Sequence, residues 1–190
     1  MQTWTVKKLL DWSINYFKEK SVSQARLSSE LLLGSALGFS RMQLYLNYNY
    51  APTQKELDKF KKYILKRLQG VPIQYILKEA HFRKIKLYVD ENVLIPRPET
   101  ELVVEKAVEA IGRLAKNRDK VEILEVGVGS GAISLSILFE LKGLNYNILA
   151  TDNSEQAIRV AQKNADNILG KEELERIKFS LCDILPEESG

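Results

Sequence analysis

Val121-Glu122-Ile123-Leu124-Glu125-Val126-Gly127-Val128-Gly129-Ser130-Gly131-Ala132-Ile133 is the stretch on which the reading of this chain turns. Val121 to Val126 has the apolar character and length of a short strand. Three alternate glycines follow, and Ala132-Ile133-Ser134-Leu135-Ser136-Ile137-Leu138 opens a helix. Strand, glycine turn, helix is the context that a nucleotide-binding motif requires. Glycines there permit positive φ and let a ligand lie directly against the main chain. The spacing G-x-G-x-G departs from the dinucleotide pattern G-x-G-x-x-G. The loop also lacks the Lys-Ser/Thr ending of an ATP-binding P-loop, so no side chain is offered to a γ-phosphate.

Working outward, Glu125 stands two residues before the first glycine, at the carboxyl end of the strand. An acid there would repel a pyrophosphate and suits a ligand with positive charge and ammonium donors. S-adenosyl-L-methionine, with an ammonium and a sulfonium, fits that demand better than a dinucleotide. A second strand, Tyr146 to Thr151, ends in Asp152, a carboxylate placed to accept both hydroxyls of an adenosine ribose. The next helix spans about Ser154 to Ile168, with Ser154 as N-cap. A third strand, Ile177 to Leu181, leads into Cys182-Asp183-Ile184. Asp183 can accept from an adenine amino group, and Ile184 can lie against the ring face. Cys182 beside Asp183 would have its thiolate disfavoured, so it reads as packing rather than as a nucleophile.

Upstream, His81 to Val89 alternates polar and apolar, Asp90-Glu91-Asn92 is turn chemistry, and Val93-Leu94-Ile95 reads as a second short strand. A β-hairpin over this region is expected. His81 reads as a surface or structural histidine with no titratable partner beside it. Pro96 and Pro98 stiffen the chain on either side of Arg97. Glu99 and Glu101 then supply first-turn acids to a helix whose apolar face is Leu102, Val103, Ala107, Ile111 and Leu114.

Residues 1–75 read as a small bundle of three or four helices. Val6, Leu9, Leu10, Ile14 and Phe17 form one stripe, and Leu57, Phe60, Ile64 and Leu68 another. Between them a helix runs from about Ser23 to Leu37, with Gly38 as a left-handed terminator. Pro52-Thr53 precedes the Gln54–Gln69 helix, and Gly70-Val71-Pro72 ends it. Tyr45, Tyr48 and Tyr50 are read as packing rather than as a base-stacking platform.

The 190 residues carry 28 Lys+Arg and 25 Asp+Glu, and 45% are hydrophobic, which is the composition of a folded soluble domain or two small ones. Residues 1–75 hold 12 Lys+Arg against 5 Asp+Glu, a balance of +7, whereas the rest of the chain stands at −4. That asymmetry suggests modules with different partners, the basic one facing an acidic protein or a phosphate backbone. Apolar runs are too short for a membrane span, and Met1-Gln2-Thr3-Trp4 opens no secretory signal. One cysteine excludes an internal disulfide, and with one histidine no metal site is expected. The expected location is the cytoplasm.

Three segments together carry a family resemblance: Gly70-Val71-Pro72-Ile73-Gln74-Tyr75-Ile76-Leu77, Leu94-Ile95-Pro96-Arg97-Pro98-Glu99-Thr100-Glu101, and Glu125 to Ile133. The chain resembles the HemK/PrmC protein-(glutamine-N5) methyltransferases over its whole length. The resemblance implies an α/β fold in three parts: a helical bundle over 1–75, a β-hairpin connector over 76–96, and over 97–190 the first half of a Rossmann-like class I SAM-dependent methyltransferase domain. It implies S-adenosyl-L-methionine as cofactor and peptide chain release factors as partners, methylated at the Gly-Gly-Gln glutamine and docked by the bundle. Gly127, Val128, Gly129, Ser130 and Gly131 would hold the methionine end of the cofactor. Asp152 would hold the ribose, Asp183 and Ile184 would flank the adenine, and the Arg97 segment would form pocket wall. Ile184 and Glu125 stand where relatives carry an aromatic residue and an aspartate.

The family's Asn-Pro-Pro-Tyr signature is absent from this sequence, so no catalytic residue is assigned and the chain by itself is expected to be inactive. Residues 121–126 are expected to present a bare apolar strand edge. Two alternatives stand beside the main reading. One is a nucleic-acid adenine methyltransferase fragment, which the basic bundle keeps open although direct nucleic-acid binding is not expected; the other is a non-catalytic cofactor-binding or protein-docking module.

Overall fold

The computed structural model describes residues 4–185, and the chain divides into two compact units after Leu77. The first unit is helical. It comprises α1 (Val6–Glu19), α2 (Ala25–Leu37), α3 (Arg41–Leu46), α4 (Gln54–Leu68) and the single turn α5 (Ile73–Leu77). Caps explain the boundaries. Thr5, Ser40 and Thr53 each accept a backbone N–H of the first turn, and Ser40–Gln43 and Thr53–Glu56 close reciprocal capping boxes. Gly38 ends α2 in the left-handed conformation, at φ 71°.

The two helical stripes read from the sequence point into a common core. Val6, Leu9, Leu10 and Phe17 pack with Phe60 and Ile64 around α2, whose Leu32 and Leu33 are fully buried. The same core buries one carboxylate. Glu30 accepts from the guanidinium of Arg41 at 2.5 Å, from Arg26 at 3.1 Å, and from the Tyr45 hydroxyl. Burial raises its pKa, but the Tyr45 and Arg41 hydrogen bonds outweigh that and hold it below the ordinary glutamate value. Tyr45 and Tyr50 are thus tied down through their hydroxyls, Tyr50 to Glu56 at 3.2 Å, as a packing role requires.

The second unit begins with a hairpin, β1 (Ala80–Phe82) and β2 (Ile85–Leu87), and continues through α6 (Thr100–Leu114), β3 (Val121–Val126), α7 (Ala132–Glu140), β4 (Tyr146–Asp152), α8 (Glu155–Ile168), the short α9 (Lys171–Leu174) and β5 (Ile177–Leu181). The hairpin is tighter than the sequence pattern indicates. Phe82 pairs with Ile85 across a two-residue turn, and Val93-Leu94-Ile95 is not a strand. Arg83 makes the tight turn possible by taking φ 49°, and its guanidinium forks onto Glu140 at 2.6 and 2.9 Å and reaches the Glu101 carbonyl at 3.1 Å. Asp90-Glu91-Asn92 does turn, as an Asx turn closed by Asn92 N–H onto Asp90 at 3.1 Å, but no strand follows it and the hairpin closes earlier, at Arg83.

β3, β4 and β5 form a parallel sheet in that order, with Val121 opposite Tyr146 and Ile148 opposite Ile177. β3 is an edge strand among the described residues, as expected. One of its faces, Glu122, Leu124 and Val126, is exposed. The α6 pattern also differs from the sequence reading. Leu102 and Val103 are more than half exposed, and Val104 with Ile111 forms the buried face. The helix is rotated so that one apolar position on each turn is inside, and the apolar pattern of its first turn is too continuous to specify which. No described helix is long and apolar enough to cross a membrane.

Candidate functional site

The parallel register puts the carboxyl ends of β3, β4 and β5 side by side, which is where open α/β sheets bind ligands. The turn leaving β3 folds onto β4. Gly127 and Val128 N–H groups donate to the Thr151 carbonyl at 2.8 and 2.9 Å, and Gly131 N–H donates to Val128 at 2.8 Å. Gly127, Gly129 and Gly131 have φ of 77°, 54° and 81°, so each needs the freedom of glycine. Their surroundings differ. A Cβ at Gly127 would meet nothing within 4 Å, and one at Gly129 only a carbonyl at 4.0 Å. A Cβ at Gly131 would lie 2.8 Å from Leu135 Cδ1. Gly131 therefore serves the packing of α7, while Gly127 and Gly129 leave clear main chain.

Asp152, the last residue of β4, is bound to this turn: its carboxylate accepts from Gly129 N–H at 2.9 Å and from Ser154 N–H at 3.0 Å. A carboxylate has about four acceptor positions, so two remain for hydroxyl donors. Beyond β5, Cys182 N–H donates to the Asp152 carbonyl at 3.0 Å, and the Thr151 hydroxyl donates to the Ile184 carbonyl at 3.0 Å. These bonds hold the Asp183-Ile184 backbone beside Asp152. Both side chains are exposed, with Ile184 at 57%.

A cavity of about 120 Å³ lies against the turn, lined among others by Arg97, Glu125, Gly127, Gly129, Ser130 and Ile133. It is smaller than the roughly 300 Å³ at which whole small-molecule pockets begin. It has room for one end of a nucleoside ligand, and Asp152, Asp183 and Ile184 lie outside its lining. Gly127, Val128, Gly129 and Ser130 line it, as does the Arg97 segment through Pro96 and Arg97; Gly131 does not.

Two polar residues that sequence reading did not single out hold the turn. Ser134, in the first turn of α7, donates both its N–H, at 3.0 Å, and its hydroxyl to the Glu125 carboxylate. The N-cap position of α7 is Gly131, which has no side chain, so Glu125 satisfies the helix from the neighbouring strand. Burial of the Glu125 carboxyl pushes its pKa up to about 7, against the opposing pull of Ser134, and the nearby Asp152 charge adds to the rise. Asn164 of α8, 1% exposed, donates to the carbonyls of Ser130 at 2.8 Å and Tyr88 at 2.9 Å and accepts from Tyr88 N–H at 2.7 Å. Its sequence signal is a polar residue on the apolar face of a helix, in step with Ala157, Val160, Ala161 and Ala165. His81 is a surface residue, 77% exposed, and it does have a titratable neighbour: Glu79 lies 3.1 Å from its Nε2. Among the described residues no group of three or more His, Cys, Asp or Glu is disposed to hold a metal.

A parallel sheet with a glycine turn after its first strand and an anchored acid at the tip of its second defines the first half of a doubly wound α/β fold of the nucleotide-binding kind. Residues 8–77 match the family model of the PrmC N-terminal domain. The chain is 44% identical over 185 residues to the release factor glutamine methyltransferase of Chlorobaculum tepidum, covering 97% of this chain and 61% of that one. The corresponding enzymes of Leptospira interrogans and Rhodopirellula baltica are 36% and 33% identical over 188 and 180 residues, which are 97% and 95% of this chain and 63% and 60% of theirs. The chain thus spans about three fifths of the length of these curated relatives. Over nearly all of its own length the chain is similar to these release factor glutamine methyltransferases, and its helical unit matches the PrmC N-terminal domain.

Proposed function

We propose that this chain is the docking bundle and cofactor-binding half of an enzyme that methylates peptide chain release factors, with S-adenosyl-L-methionine as donor and the side-chain amide nitrogen of the Gly-Gly-Gln glutamine as acceptor. The relatives' shared description as release factor glutamine methyltransferases supports the substrate. The observation that carries the cofactor is the Asp152 carboxylate, locked by Gly129 and Ser154 N–H groups beside a glycine turn whose main chain is open.

The residues fit this cofactor. Gly127 to Ser130 offer clear backbone to its methionine end, Asp152 keeps two acceptor positions for ribose hydroxyls, and Asp183 with Ile184 stands on the side where the adenine would lie. When bound, the cofactor supplies an electrophilic methyl group on a sulfonium. This chain's residues bind and orient: Glu125 and Ser134 fix the start of α7, and Asn164 fixes Ser130, so the turn that receives the ligand is set before it arrives. A glutamine amide nitrogen is a poor nucleophile, and acceptors for its hydrogens are not assigned to any residue here.

Calorimetry on the full chain tests the cofactor, and mass spectrometry of a release factor incubated with the complete relative-length enzyme tests the substrate. Binding of S-adenosylhomocysteine with no heat from NAD is expected, followed by a single added methyl on the Gly-Gly-Gln peptide. NAD binding in its place would overturn the reading. The second reading, a nucleic-acid methyltransferase, is favoured by the +7 balance of residues 1–75. RNA or DNA affinity falling steeply with salt would select it.

A further inference from the structure

We infer that Arg97 is the recognition residue for the carboxylate of the cofactor's amino-acid end, an inference that rests on the cofactor reading above. Among the described residues Arg97 is the only cationic one lining the cavity against the glycine turn. Its guanidinium has no hydrogen-bond or ion-pair partner among the described residues, whereas Arg26, Arg41, Arg83 and Arg159 each hold a glutamate. Its backbone is fixed. Pro96 and Pro98 restrict the chain on either side, and the Arg97 carbonyl accepts Thr100 N–H at 3.0 Å at the entrance to α6. An exposed, unpaired arginine on a stiff segment is a recognition group whose backbone is already placed, so that only its side chain remains to be ordered on binding.

Most N–H groups of the glycine turn already have protein acceptors, which leaves those of Ser130, Ala132 and Ile133 at the start of α7. The N–H groups of Gly127, Val128, Gly129 and Gly131 are engaged by Thr151, Asp152 and Val128, and that of Ser134 by Glu125. Glu125, on the same cavity, attracts an ammonium and repels a carboxylate. A ligand end carrying both charges is therefore held in one orientation only, ammonium toward Glu125 and carboxylate toward Arg97. The planar guanidinium fork matches a carboxylate with two parallel hydrogen bonds.

The test measures affinity of the full chain and of Arg97→Ala and Arg97→Lys for two probes by calorimetry. S-adenosylhomocysteine has the carboxylate; 5′-methylthioadenosine has the same nucleoside and sulfur without the amino-acid end. Arg97→Ala is expected to lose about 10- to 100-fold in affinity for the first and to keep its affinity for the second, the loss of one charge-assisted contact. Arg97→Lys should recover part of the loss. Arg97 is exposed, so far-UV circular dichroism of the variants should match the parent. Equal binding of S-adenosylhomocysteine by parent and Arg97→Ala overturns the role of Arg97 and leaves the cofactor reading standing. An equal loss for both probes also overturns it, because Arg97 would then shape the pocket instead of recognising the carboxylate. A parent chain that binds neither probe overturns the cofactor reading and this inference with it.

Discussion

The helical unit and the sheet unit solve the same problem differently. In the bundle, α2 is buried nearly all round and the stripes of α1 and α4 close over it, so apolar surface meets apolar surface. In the sheet unit, β4 is enclosed, but Leu124 and Val126 of β3 are 44% and 50% exposed, and Leu102 and Val103 of α6 are 58% and 53% exposed. What holds the carboxyl end of its sheet is a set of polar ties: Glu125 to Ser134, Asp152 to Gly129, Asn164 to Ser130 and Tyr88. The lesson is that the bundle is organised by hydrophobic pattern, and the turn beside the cavity by a few buried hydrogen bonds. Removing one such bond should then harm one unit and spare the other.

Asn164→Ala is the largest expected break. It leaves the Ser130 carbonyl without a partner in a buried place, at roughly 1–3 kcal/mol, and the Tyr88 carbonyl and N–H without theirs in a half-buried one, at less for each. A destabilisation of about 3 kcal/mol is expected for the sheet unit alone. Both tryptophans, Trp4 and Trp12, lie in the bundle. Tryptophan fluorescence therefore follows the first unit, while circular dichroism follows both. Denaturation of Asn164→Ala should shift part of the dichroism curve to lower denaturant and leave the fluorescence midpoint in place. A common shift of both would show that the units do not unfold separately.

The two buried glutamates sharpen the comparison through pH, because their shifts have opposite signs. Glu125 is raised from 4.5 to about 7 in the folded protein, so the folded state binds the proton more tightly than the unfolded one. The stability it contributes is fully present below about pH 4.5 and is lost as pH rises through 7, by about 3 kcal/mol at most. Glu30 is lowered, so its contribution is present above the ordinary glutamate pKa and is lost as the solution is acidified through its folded value. Between pH 5 and 8 the sheet unit should weaken while the bundle midpoint, read by tryptophan, stays level. Glu125→Gln keeps an oxygen for Ser134 and should flatten the dichroism profile over that range. In acid the order reverses, and Glu30→Gln should weaken the bundle by about 2 kcal/mol at neutral pH by removing charge from a buried network.

How much of this was legible in the sequence follows the same division. Stripes such as Val6, Leu9, Leu10 and Phe17 have a period, and Thr53 and Gly38 have cap chemistry, so local signals sufficed for the long helices. The glycine turn, Asp152 and the strand edge at 121–126 were equally readable, because strand–turn–helix order fixes where they meet. The hairpin was not. Its turn is decided by Arg83 reaching Glu140, 57 residues away, and no local window contains that bond. The face of α6 escaped because Leu102, Val103 and Val104 are apolar in succession. Ser134 and Asn164 escaped because their partners, Glu125 and Ser130, are neighbours only once the sheet has formed.

The smallest expected effect bears on the exposed face of β3. Leu124 is 44% exposed on a strand that pairs only with β4 among the described residues. Unpaired strand edges with apolar side chains recruit other chains, and a lysine there is the usual protection. Leu124→Lys should therefore cost no more than about 0.5 kcal/mol, as for a surface substitution, while lowering association of the chain as its concentration is raised. Light scattering over a concentration series, with dichroism on the same samples, reads both quantities. A loss of 2 kcal/mol or more would mean that this face is covered in solution. The asymmetry between a closed bundle and an open sheet would then have to be abandoned, since Leu124 would belong to a core. Near-neutral stability with reduced association supports the opposite conclusion, that β3 is held by its main-chain ladder to β4 and by the Glu125 tie to α7, with its outward side chains contributing little.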